Sequence, residues 1–234
     1  MHALLVVWLT IAMLAWCPPP KGKEGPETMR YAQIAWTALD VAFDPAEKPL
    51  FDGPHGRSKT ALQLLAIAGF ESSFRRDVQM GQTRGKAGDS CLMQIISASA
   101  GIKKKRMQLT PLTYKWSEPR LEPGPDDIRA EDIEGPDAHL CFRLGLHIVR
   151  ESFQICHDLS MYTNGKCNKE LKAKHREQRA HQHYRMHPAP ITDDDAAFGG
   201  TGATILNPSS AGANPGVAGT NPAIQRIVAA QGRF

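Results

Sequence analysis

Charge is sparse in this chain. Asp, Glu, Lys and Arg make up 22% of its 234 residues and the net charge is only +4. That excludes the dense basic stripe of a nucleic-acid-binding protein, so no nucleic acid is expected as a partner. Its five cysteines, Cys17, Cys91, Cys141, Cys156 and Cys167, include no Cys-x-x-Cys pair. A zinc site or a thioredoxin-type redox motif is therefore not expected, and neither is any metal or cofactor. Long apolar runs are missing too. The stretch over residues 3–16, with Thr10 as its one polar side chain, is short for a membrane-spanning helix but right for the core of a signal or anchoring segment. The basic residues that usually precede such a core are absent, since only the amino terminus and His2 stand before it.

What is present is enough apolar residue, 41%, for one good core. The chain is organised around residues 58–96. Ser58 or Thr60 can cap a helix in which positions 61, 62, 64, 65, 67, 68 and 70 are all apolar. A helix apolar nearly all round is a buried helix. It runs into a single acid, Glu71. Burial disfavours the charged carboxylate, and the negative end of the helix dipole pushes the same way, so a raised pKa is expected. A general acid working near neutral pH requires that shift. The plainer alternative is an acid that simply marks where the helix meets solvent. Ser72 and Ser73 follow as hydrogen-bond partners for the carboxyl or for a ligand.

Glu71-Ser72-x-Phe74, a Gly-containing loop and then Leu92-Met93-Gln94-Ile95 resemble the signature of the lytic transglycosylases of the goose-lysozyme-like superfamily. Asp137-Ala138-His139-Leu140 with Leu144-Gly145-Leu146 resembles that family's later helix with a mid-helix glycine, and Met161-Tyr162-Thr163-Asn164-Gly165 resembles its Ala-Tyr-Asn-x-Gly segment. The ordered set covers residues 29–186. Cys91 departs from the pattern, which has Gly there, and Thr163 separates the Tyr from the Asn.

The resemblance implies a mainly α, lysozyme-like catalytic domain that binds peptidoglycan glycan strands. Glu71 would be the catalytic residue. Ser72, Ser73, Leu92, Met93, Gln94, Tyr162 and Asn164 would bind substrate, with Leu92-Met93-Gln94 as the cleft floor. It implies cleavage of the β-1,4 bond between N-acetylmuramic acid and N-acetylglucosamine with 1,6-anhydromuramyl ends, one Glu serving as acid and then base. Two alternatives stand beside it. One is a lysozyme-type hydrolase with Asp77 or Asp89 as the second carboxylate. The other is a structural or ejected phage virion protein whose domain mainly binds the wall.

Along the chain, three units are expected: a signal or anchor segment with linker over 1–27, the catalytic domain over 28–187, and a flexible Gly/Ala/Asn/Pro-rich tail over 188–234. The first and last would make membrane or virion contacts, and the periplasm or a phage particle is the expected location. A first amphipathic helix is expected to stop near Asp44-Pro45, and Asp137 to cap a helix reaching about His157. Cys91, Cys141, Cys156 and Cys167 allow three pairings if oxidised, with buried free thiols as the alternative. Residues 103–106 form a basic cluster. Residues 111–136 read as an irregular excursion that could present Tyr114 and Trp116 to sugar rings. His175, His181 and His183, with His187 beyond, lack acidic partners at ligand spacing and read as a solvated helix face.

Overall fold

The computed structural model describes residues 2–85, 88–96, 107–109, 114–118, 122, 124–167 and 171–194. It is mainly helical. The long helices are α1 (His2–Trp16), α2 (Glu24–Phe43), α3 (Gly56–Ser72), α6 (His139–Cys156) and α8 (Leu171–Met186). Shorter elements lie between them: α4 (Arg76–Gln79), the hairpin β1 (Asp89–Ser90) with β2 (Ile95–Ile96), the hairpin β3 (Met107–Leu109) with β4 (Tyr114–Trp116), α5 (Ala130–Ile133) and α7 (Ser160–Asn164). The basic cluster at 103–106 and the tail from 195 lie outside the described residues.

The all-round apolar helix is central, as its sequence requires. α3 packs against α1, α2, α6 and α8, and Ala61, Leu62, Leu64, Leu65, Ala66, Ile67 and Ala68 are all buried. Its start differs from expectation. The helix begins at Gly56, and neither Ser58 nor Thr60 is its N-cap. Instead the carboxylate of Asp193 accepts the Arg57 amide at 2.7 Å and the Ser58 amide at 3.2 Å. A carboxylate there satisfies orphan amides and favours the positive helix end. Asp193 therefore belongs to the fold, which carries the ordered chain past the expected boundary at 187.

The other expected boundary is also crossed. α1 packs on α2 and α3, with Leu5, Leu9, Ala12 and Met13 fully buried, and Trp8 Nε1 donates to the His187 carbonyl at 2.8 Å. The apolar segment is thus part of the core rather than a unit beside it. Among the described residues no helix is long and apolar enough to cross a membrane. α2 ends at Phe43 as Asp44-Pro45 suggests, although it starts at Glu24, inside the stretch expected as linker.

α6 shows a strongly one-sided pattern, burying Cys141, Phe142, Leu144, Leu146 and Val149. Its outer face is fastened by Glu47 from the α2–α3 connection. That buried carboxylate receives Arg143 Nε at 2.8 Å, stands 3.0 Å from His147 Nε2 and receives Arg150 Nη2 at 3.1 Å. Burial alone would raise its pKa. Hydrogen bonds from His147, Arg143 and Arg150 outweigh that and hold it down at about 2. Two disulfides, Cys91–Cys141 and Cys156–Cys167, resolve the pairing question, while Cys17 stays a thiol.

Candidate active site

Three segments far apart in the chain meet at the C-terminal end of α3. Glu71 lies in the last turn of that helix with its side chain 19% exposed. Ser73 and Phe74 follow with φ of 50° and 52°, so two successive non-glycine residues adopt left-handed backbone. Each costs about 1–2 kcal/mol. The surroundings hold the turn in place. Phe74 is fully buried against Tyr31, and Arg30 donates to the Phe74 carbonyl while also binding Glu27 and Gln79. The end of α3 is therefore a rigid mount for its acid.

The second segment is the turn between β1 and β2. Leu92 and Met93 are fully buried, whereas Cys91 and Gln94 flank them with φ of 59° and 49°. Left-handed backbone at position 91 is where glycine is easiest to place, which is the residue found there in the resembled pattern. Here a cysteine takes the conformation and is fixed to α6 through Cys141. The Gln94 side-chain amide donates to the Cys91 carbonyl at 3.0 Å, so it closes its own turn.

The third segment is α7. Tyr162 donates its hydroxyl to the Met93 carbonyl. Burial pushes the phenol well above its usual range, the negative charge of Glu71 pushes it the same way, and Arg176 opposes both. Glu71, Met93, Tyr162 and Arg176 thus form one electrostatic group. Asn164 is the last residue of α7, and its side chain lies outside the described residues, as do those of Tyr114 and Trp116.

Arg176 of α8 is the member that sequence reasoning missed. Its Nε donates to Glu71 Oε1 at 2.8 Å and its Nη2 lies 2.5 Å from the same oxygen. The arginine side chain is only 12% exposed. The raised pKa expected for Glu71 rested on burial and the helix dipole. A guanidinium in contact acts in the opposite sense, favouring the carboxylate. The sequence offered no signal for it, because α8 carries several other lysines and arginines. On the expected solvated face, His175, His181 and His187 are exposed, and the exception is His183. His183 is buried, with its ring near those of Trp8 and Trp16, and Glu177 accepts the Leu159 amide at 2.7 Å.

The remaining candidates have other occupations. The Ser72 hydroxyl is buried, donating to the Ala68 carbonyl at 2.8 Å and accepting the Phe74 amide at 3.2 Å. Ser73 is exposed. Asp77 is bound by Arg75 and by the Thr83 hydroxyl, which hold its carboxyl down at about 2. Asp89 is in β1, and its backbone carbonyl accepts the Gly85 amide at 2.8 Å. Comparison of the chain with protein-family models, curated proteins and solved structures gives no match.

Proposed function

We propose that the chain is a peptidoglycan lytic transglycosylase on a lysozyme-like domain, with Glu71 as acid and then base. One observation carries the reading. The segments nominated by the sequence resemblance come together: a hydrogen bond spanning 69 residues joins Tyr162 to Met93, and the charge of Glu71 acts on the same Tyr162 phenol. Glu71 protonates the glycosidic oxygen as the bond to N-acetylmuramic acid breaks. The sugar's own N-acetyl group stabilises the positive charge developing at its anomeric carbon. The resulting carboxylate takes the proton of the C6 hydroxyl of the same residue, and the 1,6-anhydro ring closes without consuming water.

Arg176 fits the second half of this cycle directly, since it stabilises the ionised carboxylate. For the first half it must give way when glycan enters, so that the carboxyl can hold a proton. Tyr162, fixed on the Met93 carbonyl, supplies a positioned ring and hydroxyl beside the acid. The binding of Asp77 by Arg75 and Thr83 leaves that carboxylate poorly suited to activating a water, so a hydrolase on this domain would have to use Asp89. Two disulfides support work in an oxidising compartment such as the periplasm.

The test is digestion of purified murein followed by mass spectrometry of the products. Anhydro ends are expected from the native chain, and Glu71→Gln should fold normally while losing about 10³-fold or more in rate. Reducing ends, or undiminished cleavage by Glu71→Gln, would overturn the assignment.

A further inference from the structure

Two arginines one turn apart on α8 have opposite situations. Arg176 has a carboxylate. Arg179 has none among the described residues: burial pushes its pKa down, and its buried Nη1 lacks a hydrogen-bond partner. Its guanidinium carbon lies 3.8 Å from the centre of the Phe70 ring and 5.8 Å from that of Trp16. A desolvated cation without a counter-ion is costly, and aromatic faces offset only part of that cost.

This cation lines an open groove of about 570 Å³ between α1 and α8. Ile11 (50% exposed), Phe70 and Met186 (68% exposed) give it an apolar surface. His183 also lines it and leaves its buried Nε2 without a partner among the described residues. No acidic side chain lines the groove among the described residues. The volume lies within the roughly 300–1,000 Å³ common for small-ligand sites. Apolar walls around an uncompensated guanidinium fit a ligand with one carboxylate on a partly apolar body.

We infer that this groove binds the free carboxylate of the peptide stem carried by peptidoglycan, with Arg179 as its partner and Phe70 and Trp16 as the surface for its apolar side. The inference rests on the proposed function for the identity of the polymer. Phe70 precedes Glu71, and Arg176 lies between the groove and the acid, with its guanidinium carbon 5.8 Å from the Phe70 ring centre. A stem held on Arg179 would thus orient the glycan it hangs from relative to Glu71.

Calorimetric titration of the full-length Glu71→Gln protein with muramyl dipeptide, and with its analogue in which the free carboxylate is an amide, tests this. The dipeptide should bind, and the amide should bind roughly tenfold more weakly. Adding Arg179→Met should weaken dipeptide binding by about thirtyfold, while Arg179→Lys should recover part of it. Gln182→Glu changes an exposed groove residue and cannot be blamed on misfolding; its new carboxylate should compete for Arg179 and weaken binding roughly tenfold. Equal binding of acid and amide, no effect of Arg179→Met and Gln182→Glu, or octanoate binding as tightly as the dipeptide would each overturn the inference. The proposed function fails separately. A native chain that releases no fragments from murein, beside a Glu71→Gln protein that still binds dipeptide, removes the enzyme and keeps the site. A native chain that cleaves peptide-bearing and peptide-free glycan with the same KM keeps the enzyme and removes the site.

Discussion

In the proposed mechanism, Arg176 decides how Glu71 can be used. A buried helix end and a contacting guanidinium act on the carboxyl in opposite directions, and only the guanidinium can be removed without disturbing α3. In Arg176→Met the aliphatic stem remains and the counter-charge is lost, so protonated Glu71 should persist to higher pH. The alkaline limb of the pH–rate profile should then move upward, while the melting temperature changes by only a few degrees. A profile that keeps its alkaline limb in place would show that Arg176 leaves the acid during turnover without setting its ionisation.

At the scale of elements, the mid-helix glycine of α6 has a specific reason. A Cβ on Gly145 would stand 2.5 Å from Met93 Cε and 3.1 Å from its Cγ, so Met93 would have to shift to make room for one. The tip of Met93 can swing away, which makes Gly145→Ala tolerable; its strain is set against about 1 kcal/mol of gained helix propensity. Gly145→Val cannot be accommodated in that way. It should cost about 2 kcal/mol by overpacking, measured by denaturant unfolding, and should lower cleavage by disturbing the turn that holds Tyr162. Elements of this kind were legible in the sequence because their signals are local: apolar residues nearly all round for α3 and a proline after α2. Arg176 and Asp193 were not legible. Each acts on a group more than 100 residues away, and nothing in the local pattern of a charged helix or an acidic tail shows which charge turns inward. The core packing of α1 was not legible for a related reason, since an apolar segment looks the same whether a bilayer or a core receives it.

For the molecule as a whole, two devices resist opposite conditions. Glu47 guards against moderate acid. Its folded-state pKa of about 2 lies below the ordinary 4.5, so its stabilisation, about 3 kcal/mol, is present above about pH 4.5 and is lost as the pH falls toward 2. Glu47→Gln should flatten stability over that range, as read from urea midpoints at successive pH values. The disulfides also guard the site. Cys91 opens the turn that contains Met93, and Cys156 and Cys167 bracket Tyr162, so the two bridges fix both partners of the hydrogen bond beside Glu71. The helices α1, α2, α3 and α8 contain no disulfide cysteine. Reduction should therefore release the Met93–Tyr162 contact before it unfolds the helical core. Murein cleavage should fall sharply with dithiothreitol while far-ultraviolet circular dichroism changes little, and reoxidation should restore it. Loss of helix in step with activity would instead make the bridges supports of the whole fold.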